Sequence, residues 1–172
     1  MAQRVEFVLD DGAADAVRRL WRRLEDAGLP SAAGRGRRPH VTFAAAGSIP
    51  ARTVAALRAD LRLLSLPALW LSTLGTFPAR ESGLWLGAVV DAELLAVHSA
   101  VHDVLAGAVR QPAATYLPGS WVPHCELTPE LSADQLADGV RALHPVTPVR
   151  AMIGQVTITD TRSGEVQILV SR

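Results

Sequence analysis

Two short segments carry the residue types that acid–base chemistry on a phosphate ester needs. Pro39-His40-Val41-Thr42-Phe43 and Pro123-His124-Cys125-Glu126-Leu127-Thr128 each place a histidine directly after a proline. Histidine is the side chain whose ordinary pKa lets it take or give a proton near neutrality. Two of them suit phosphodiester chemistry: a neutral imidazole removes a proton from the attacking oxygen while an imidazolium supplies one to the leaving oxygen. A nearby threonine hydroxyl can donate to a non-bridging phosphate oxygen. That chemistry requires no metal and no cofactor. Side chains alternate faces along a strand, so His40 and Thr42 share one face, as do His124, Glu126 and Thr128. Proline cannot donate to a sheet ladder and suits the first position of a strand, where both prolines stand.

Other residues invite chemical readings, each beside a plainer one. Arg35-Gly36-Arg37-Arg38 lies just before the first motif. It would make a guanidinium clamp on phosphate, with Arg35 and Arg38 as candidate contacts, or simply a solvated basic loop. Trp121 and Tyr116 could stack a base, or Trp121 could pack at a loop–strand junction. Arg80 and Arg162 occupy turns where arginine is commonly exposed. His98 and His102 stand four apart on a helix, a spacing that can ligate zinc, but Ser99 follows His98 where the zinc-protease motif has glutamate, so a structural pair is the reading adopted. His144 suits a helix end. Trp85 and Phe43 read as core. Cys125 alternates away from His124 and reads as a buried thiol.

The elements that must position the histidines follow from periodicity. Gln3 to Leu9 alternates as a strand with Val5, Phe7 and Leu9 on one face, closed by Asp10-Asp11-Gly12. Helical spacing predicts helices over 13–27, 51–64, 92–109 and 132–143. Strands are expected over 40–45, 68–77, 84–90, 124–128, 149–160 and 165–171. Interleaved strands and helices make the class α/β or α+β. The order after His40 repeats after His124: strand, helix, strand, glycine-bearing turn, strand, helix. His40 and His124 lie 84 positions apart and the turn glycines Gly83 and Gly164 lie 81 apart. The expectation is a single bilobal domain over 1–172. One repeat covers about 40–110, the other 124–172 plus 1–28, and an approximate two-fold axis relates the two histidines.

Composition bounds the rest. The 172 residues are 49% hydrophobic, enough for one substantial core. Seventeen basic and seventeen acidic residues cancel, so no long nucleic acid is expected as a partner, whereas a small phosphorylated substrate on a local basic patch is compatible. One cysteine permits neither an intramolecular disulfide nor a thiolate metal cluster. No secretory signal and no membrane span are expected, which suits a cytoplasmic monomer.

On these motifs and this order of elements, the chain resembles the 2H phosphoesterases, the two-histidine family that includes the 2′-5′ RNA ligase-like proteins and cyclic nucleotide phosphodiesterases. Those proteins carry a His-x-Thr/Ser-x motif on each of two facing strands. His40-Val41-Thr42-Phe43 matches throughout; His124-Cys125-Glu126-Leu127 matches at the histidine and the apolar fourth position, with Glu126 where a hydroxyl belongs. The resemblance implies an α+β fold with two antiparallel-rich sheets lining a central cleft and helices outside. It also implies metal-independent chemistry on 2′,3′-cyclic phosphates, 2′-5′-linked or cyclic nucleotides, or RNA termini. By the same resemblance His40 and His124 are the acid/base pair and Thr42 holds phosphate. Glu126 leaves several outcomes open: a protonated carboxyl, a carboxylate that orients His124, or a nucleotide- or RNA-end-binding module that has lost turnover. Thr128 faces the same way as Glu126, displaced by ~6.8 Å along the strand.

Overall fold

The computed structural model describes residues 3–78 and 82–172, with eight strands and four α-helices among them. Strand β1 (Gln3–Leu9) passes directly into helix α1 (Asp11–Asp26), because Asp10 leaves the strand and caps the helix. Its Oδ1 accepts from the Ala13 amide at 3.1 Å, satisfying one of the donors that a helix start leaves open. A 3₁₀ turn at Ala32–Arg35 leads to β2 (His40–Ala46), α2 (Ala51–Leu63), β3 (Leu69–Thr76), β4 (Leu84–Ala88) and α3 (Ala92–Leu105). A second 3₁₀ turn at Ala114–Tyr116 precedes β5 (His124–Glu126) and α4 (Ala133–Leu143), and β6 (Val149–Ala151), β7 (Ile153–Asp160) and β8 (Val166–Ser171) close the chain.

The strands form two antiparallel sheets of matching plan, ordered β2-β1-β7-β8 and β5-β4-β3-β6, with a histidine strand at one edge of each. Helices α2 and α3 pack together over the first sheet, through β8 and β2; α1 and α4 pack together over the second, through β6 and β4. The class is α+β with helices outside. Neither sheet is a contiguous piece of chain. The stretch that reads as one strand over 149–160 is cut at Met152, with β6 pairing β3 and β7 pairing β1. Asp10 pins the crossing, its Oδ2 accepting from the Met152 amide at 2.6 Å.

The core is continuous between the sheets. Phe7 stacks on Phe43 at 3.6 Å, and Val5, Leu9, Val41, Leu86 and Cys125 belong to the same buried cluster. The edges β2 and β5 meet there: the Trp121 indole donates to the Thr42 carbonyl at 2.9 Å, the Trp21 indole to the Glu126 carbonyl at 3.2 Å, and the Ala32 amide to the Leu127 carbonyl at 2.9 Å. No described helix is long and apolar enough to cross a membrane.

Candidate active site

The two proline–histidine segments have the same local build. The Pro39 carbonyl accepts from the Leu9 amide at 3.0 Å and the Pro123 carbonyl from the Ala88 amide at 2.9 Å, so each proline enters the ladder through the one group it can offer. A residue before proline is held extended, which fixes the direction of its carbonyl. In both motifs that carbonyl meets the imidazole two residues on: His40 Nδ1 donates to Arg38 O and His124 Nδ1 to Val122 O, each at 2.7 Å. A carbonyl only accepts, so the neutral rings carry their proton on Nδ1 and keep an unprotonated Nε2.

On the His40 side, β1 turns Val5, Phe7 and Leu9 to the core and Arg4, Glu6 and Val8 to the cleft. Val8 stands opposite His40 in register and Glu6 opposite Thr42. The buried Glu6 carboxylate lies 3.4 Å from His40 Nε2, accepts from Arg37 at 2.8 Å and accepts from the Thr159 hydroxyl at 2.7 Å. Arg37 also comes within 3.8 Å of Glu126 on β5. A carboxylate–guanidinium–carboxylate chain thus runs from β1, beside the first motif strand, to the second motif strand β5. It opens on a cavity of about 790 Å³ over the face of β1, β7 and β8.

On the His124 side the wall is aromatic. His124 meets Phe77 edge-on at 5.1 Å and Trp85 at 5.7 Å, and Trp85 stands opposite Glu126 in register. The indole lies flat because Gly75 and Gly87 leave room: a Cβ there would fall 2.3 Å and 2.8 Å from its ring carbons.

Both imidazoles sit below the ordinary histidine pKa of 6.5. Burial is the main cause for each. Glu6 and the Arg38 carbonyl oppose it at His40, and the Val122 carbonyl and Glu126 oppose it at His124. The Arg4 charge lowers both, after Arg37 in the case of His40. Burial pushes the Cys125 thiol up to about 12 while the His40 backbone beside it pulls the other way, which places β5 directly against the first motif.

Several expected site residues lie elsewhere. Thr128 is completely buried, its Oγ1 accepting from the Leu84 amide at 2.7 Å. The β5 ladder ends at Glu126, where the Leu127 and Thr128 amides both turn to the Leu84 carbonyl, so alternation no longer holds at position 128. Trp121 is no base platform: it lies flat on His98 at 3.9 Å and tilts against Phe43 at 4.8 Å. Arg38 lines the cavity at its exposed rim, donating to Gln155 at 2.7 Å and 3.8 Å from Asp11. Arg37 is the member of the basic run that reaches Glu6. The side chain of Arg35 and all of Arg80 lie outside the described residues. Trp85 lines the cleft wall instead of the core. Arg162 is exposed beside Asp160, and His144 ends α4. His98 and His102 give Nε2 to the Tyr116 and Phe43 carbonyls at 2.9 and 3.1 Å and belong to the packing.

Periodicity alone points to Glu6 and Arg4: once Val5, Phe7 and Leu9 fill the core, their neighbours face the other way. What the sequence does not show is that β1 lies beside β2, bringing that other face under His40.

The two edge histidines are thus tethered alike on sheets of matching plan, His40 lining the cavity and His124 set against Phe77 and Trp85. The model of the 2′-5′ RNA ligase superfamily matches residues 9–165, and the chain belongs to that superfamily. Among solved structures it is similar to a crystal structure of a phosphoesterase, at 18% identity and a TM-score of 0.57, covering 97% of this chain and 92% of the other. It is also similar to Kluyveromyces marxianus Usb1 with uridine monophosphate, at 10% identity and a TM-score of 0.56, covering 97% and 96%. A further Usb1 structure from Kluyveromyces marxianus aligns at 12% identity and a TM-score of 0.52, covering 98% and 96%. At these identities the likeness is one of fold. No curated protein matches the chain.

Proposed function

We propose that this chain is a metal-independent phosphodiesterase, acting as a cytoplasmic monomer on a small nucleotide or RNA-terminus ester: a 2′,3′-cyclic phosphate, a 2′-5′ linkage or a cyclic nucleotide. His40 and His124 serve as the acid/base pair. One neutral Nε2 takes a proton from the attacking water as its oxygen bonds to phosphorus. The other ring, protonated, gives its proton to the leaving ribose oxygen as the P–O bond breaks. The carrying observation is that both rings spend Nδ1 on the carbonyl two residues back, leaving Nε2 as the nitrogen for proton transfer, that of His40 facing the Glu6 carboxylate at 3.4 Å. Thr42 supplies the phosphate hydroxyl on the first side. The cleft-side carboxylates are partly neutralised by Arg37, which makes Glu126 compatible with an anionic substrate.

The test is a panel of 2′,3′-cyclic mononucleotides, 2′-5′ dinucleotides and cyclic oligonucleotides with EDTA present. Turnover of at least one is expected, and none on any of them would contradict the reading. Glu126, standing where a hydroxyl belongs, also favours a second reading, a binding module without turnover. It is distinguished by nucleotide binding without hydrolysis together with gain of hydrolysis in Glu126→Thr.

A further inference from the structure

Three described guanidiniums line the cavity beside His40: those of Arg4, Arg37 and Arg38. Two are engaged. Arg37 is held by Glu6 at 2.8 Å and approaches Glu126 at 3.8 Å. Arg38 is held by Gln155 and lies 3.8 Å from Asp11. Arg4 is half-buried on the cleft face of a central strand, and among the described residues its guanidinium has no hydrogen-bond or ion-pair partner. A half-buried guanidinium with no such partner, in a cavity that also holds Glu6 and Asp160, is placed to receive an anion, and phosphate is the oxyanion a guanidinium holds best. Its place is fitting too, since its field reaches His40 on one sheet and His124 on the other.

A second unmet polar group lies on the same wall. Thr157, 2% exposed, stands opposite Glu6 in register and lines the same cavity, yet its Oγ1 has no hydrogen-bond partner. The other such buried atom among the described residues is Trp85 Nε1, on the facing aromatic wall. Buried polar atoms are rarely left unpaired. Thr157 Oγ1 stands on the wall of the same cavity as Arg4 and His40, where a ligand would complete it.

We propose that Arg4 is the phosphate-seating cation of the cavity beside His40, with Thr157 turning its hydroxyl to the same ligand. This rests on the phosphodiesterase reading for its substrate class, though the seat itself concerns binding. Glu126 stands in the hydroxyl position and can only repel or orient. Arg4 brings a fixed charge to the phosphate and moves both acid/base groups together.

The experiment measures the affinity of uridine 2′- and 3′-monophosphate by calorimetry for wild type, Arg4→Met and Arg4→Lys, alongside hydrolysis of the 2′,3′-cyclic ester across pH. Arg4→Met is expected to weaken monophosphate binding by about 10- to 100-fold with its melting temperature retained, and Arg4→Lys to restore part of it. Removing Arg4 lifts a charge that lowers both imidazoles, so the pH–rate profile is expected to move to higher pH. The facing Glu6, Arg37 and Glu126 are unchanged between variants. A purely structural Arg4 would not shift that profile. Equal monophosphate affinity in wild type and Arg4→Met overturns the seat, as does a wild type that binds neither monophosphate. Arg4-dependent binding by a protein that hydrolyses nothing supports the seat while removing the phosphodiesterase reading.

Discussion

The molecule holds two pairs of histidines, and they differ in which ring nitrogen is spent. In the two motifs, His40 and His124 give Nδ1 to a carbonyl two residues back, a local bond that leaves Nε2 without a backbone partner. Under helix α3, His98 and His102 give Nε2 to carbonyls 18 and 59 residues away, and their rings stand 4.5 Å apart. His98 is pressed on Trp121, and burial, reinforced by the neighbouring His102, brings its pKa down to about 4. A short-range tether aims a ring; a long-range one ties it into the packing. Histidine content alone does not separate the two kinds of ring, but the nitrogen that is spent does.

The largest expected effect separates the pairs outright. His40→Ala or His124→Ala lowers hydrolysis by about 10²- to 10⁴-fold while thermal melting stays at the wild-type value. His98→Ala does the reverse, losing about 3 to 4 kcal/mol of stability in chemical denaturation with the folded protein's turnover retained. A similar magnitude appears as pH dependence. His98 titrates near 4 when folded and near 6.5 when unfolded, so between those values the unfolded chain binds the extra proton. Stability is therefore full above pH 6.5 and falls by about 3 kcal/mol as pH drops toward 4. Denaturation curves at several pH values check it, and His98→Gln, which keeps a donor for the Tyr116 carbonyl, flattens the slope.

The smallest effect is kinetic. Both cleft imidazoles sit below 6.5, so the bell of kcat/KM against pH is expected to lie on the acid side of that value. Glu6 raises His40 against its burial. Glu6→Gln therefore moves the bell further down, by less than about one pH unit. A shift upward would separate Glu6 from His40.

Much of the fold was legible because strand and helix periods are local. Val5, Phe7 and Leu9 mark β1 by alternation, and Leu20 and Leu24 mark α1 by helical spacing. The first motif was legible for the same reason, since His40 and Thr42 stay two apart on a regular strand. Thr128 was misplaced because a three-residue strand gives alternation no room to persist. Trp85 was misread as core because its wall position depends on Gly75, on a neighbouring strand. Glu6, Arg37 and Glu126 meet only through sheet order and loop closure, and separations of 31 residues for Glu6–Arg37 and 89 for Arg37–Glu126 leave no periodic trace.

The most direct test is a double-mutant cycle on the ester that the protein turns over. If His40 and His124 act as base and acid in one transition state, H40A/H124A is no slower than the slower single variant, because removing either already disables the pair. Losses that multiply, or turnover that survives both substitutions, would contradict a shared site.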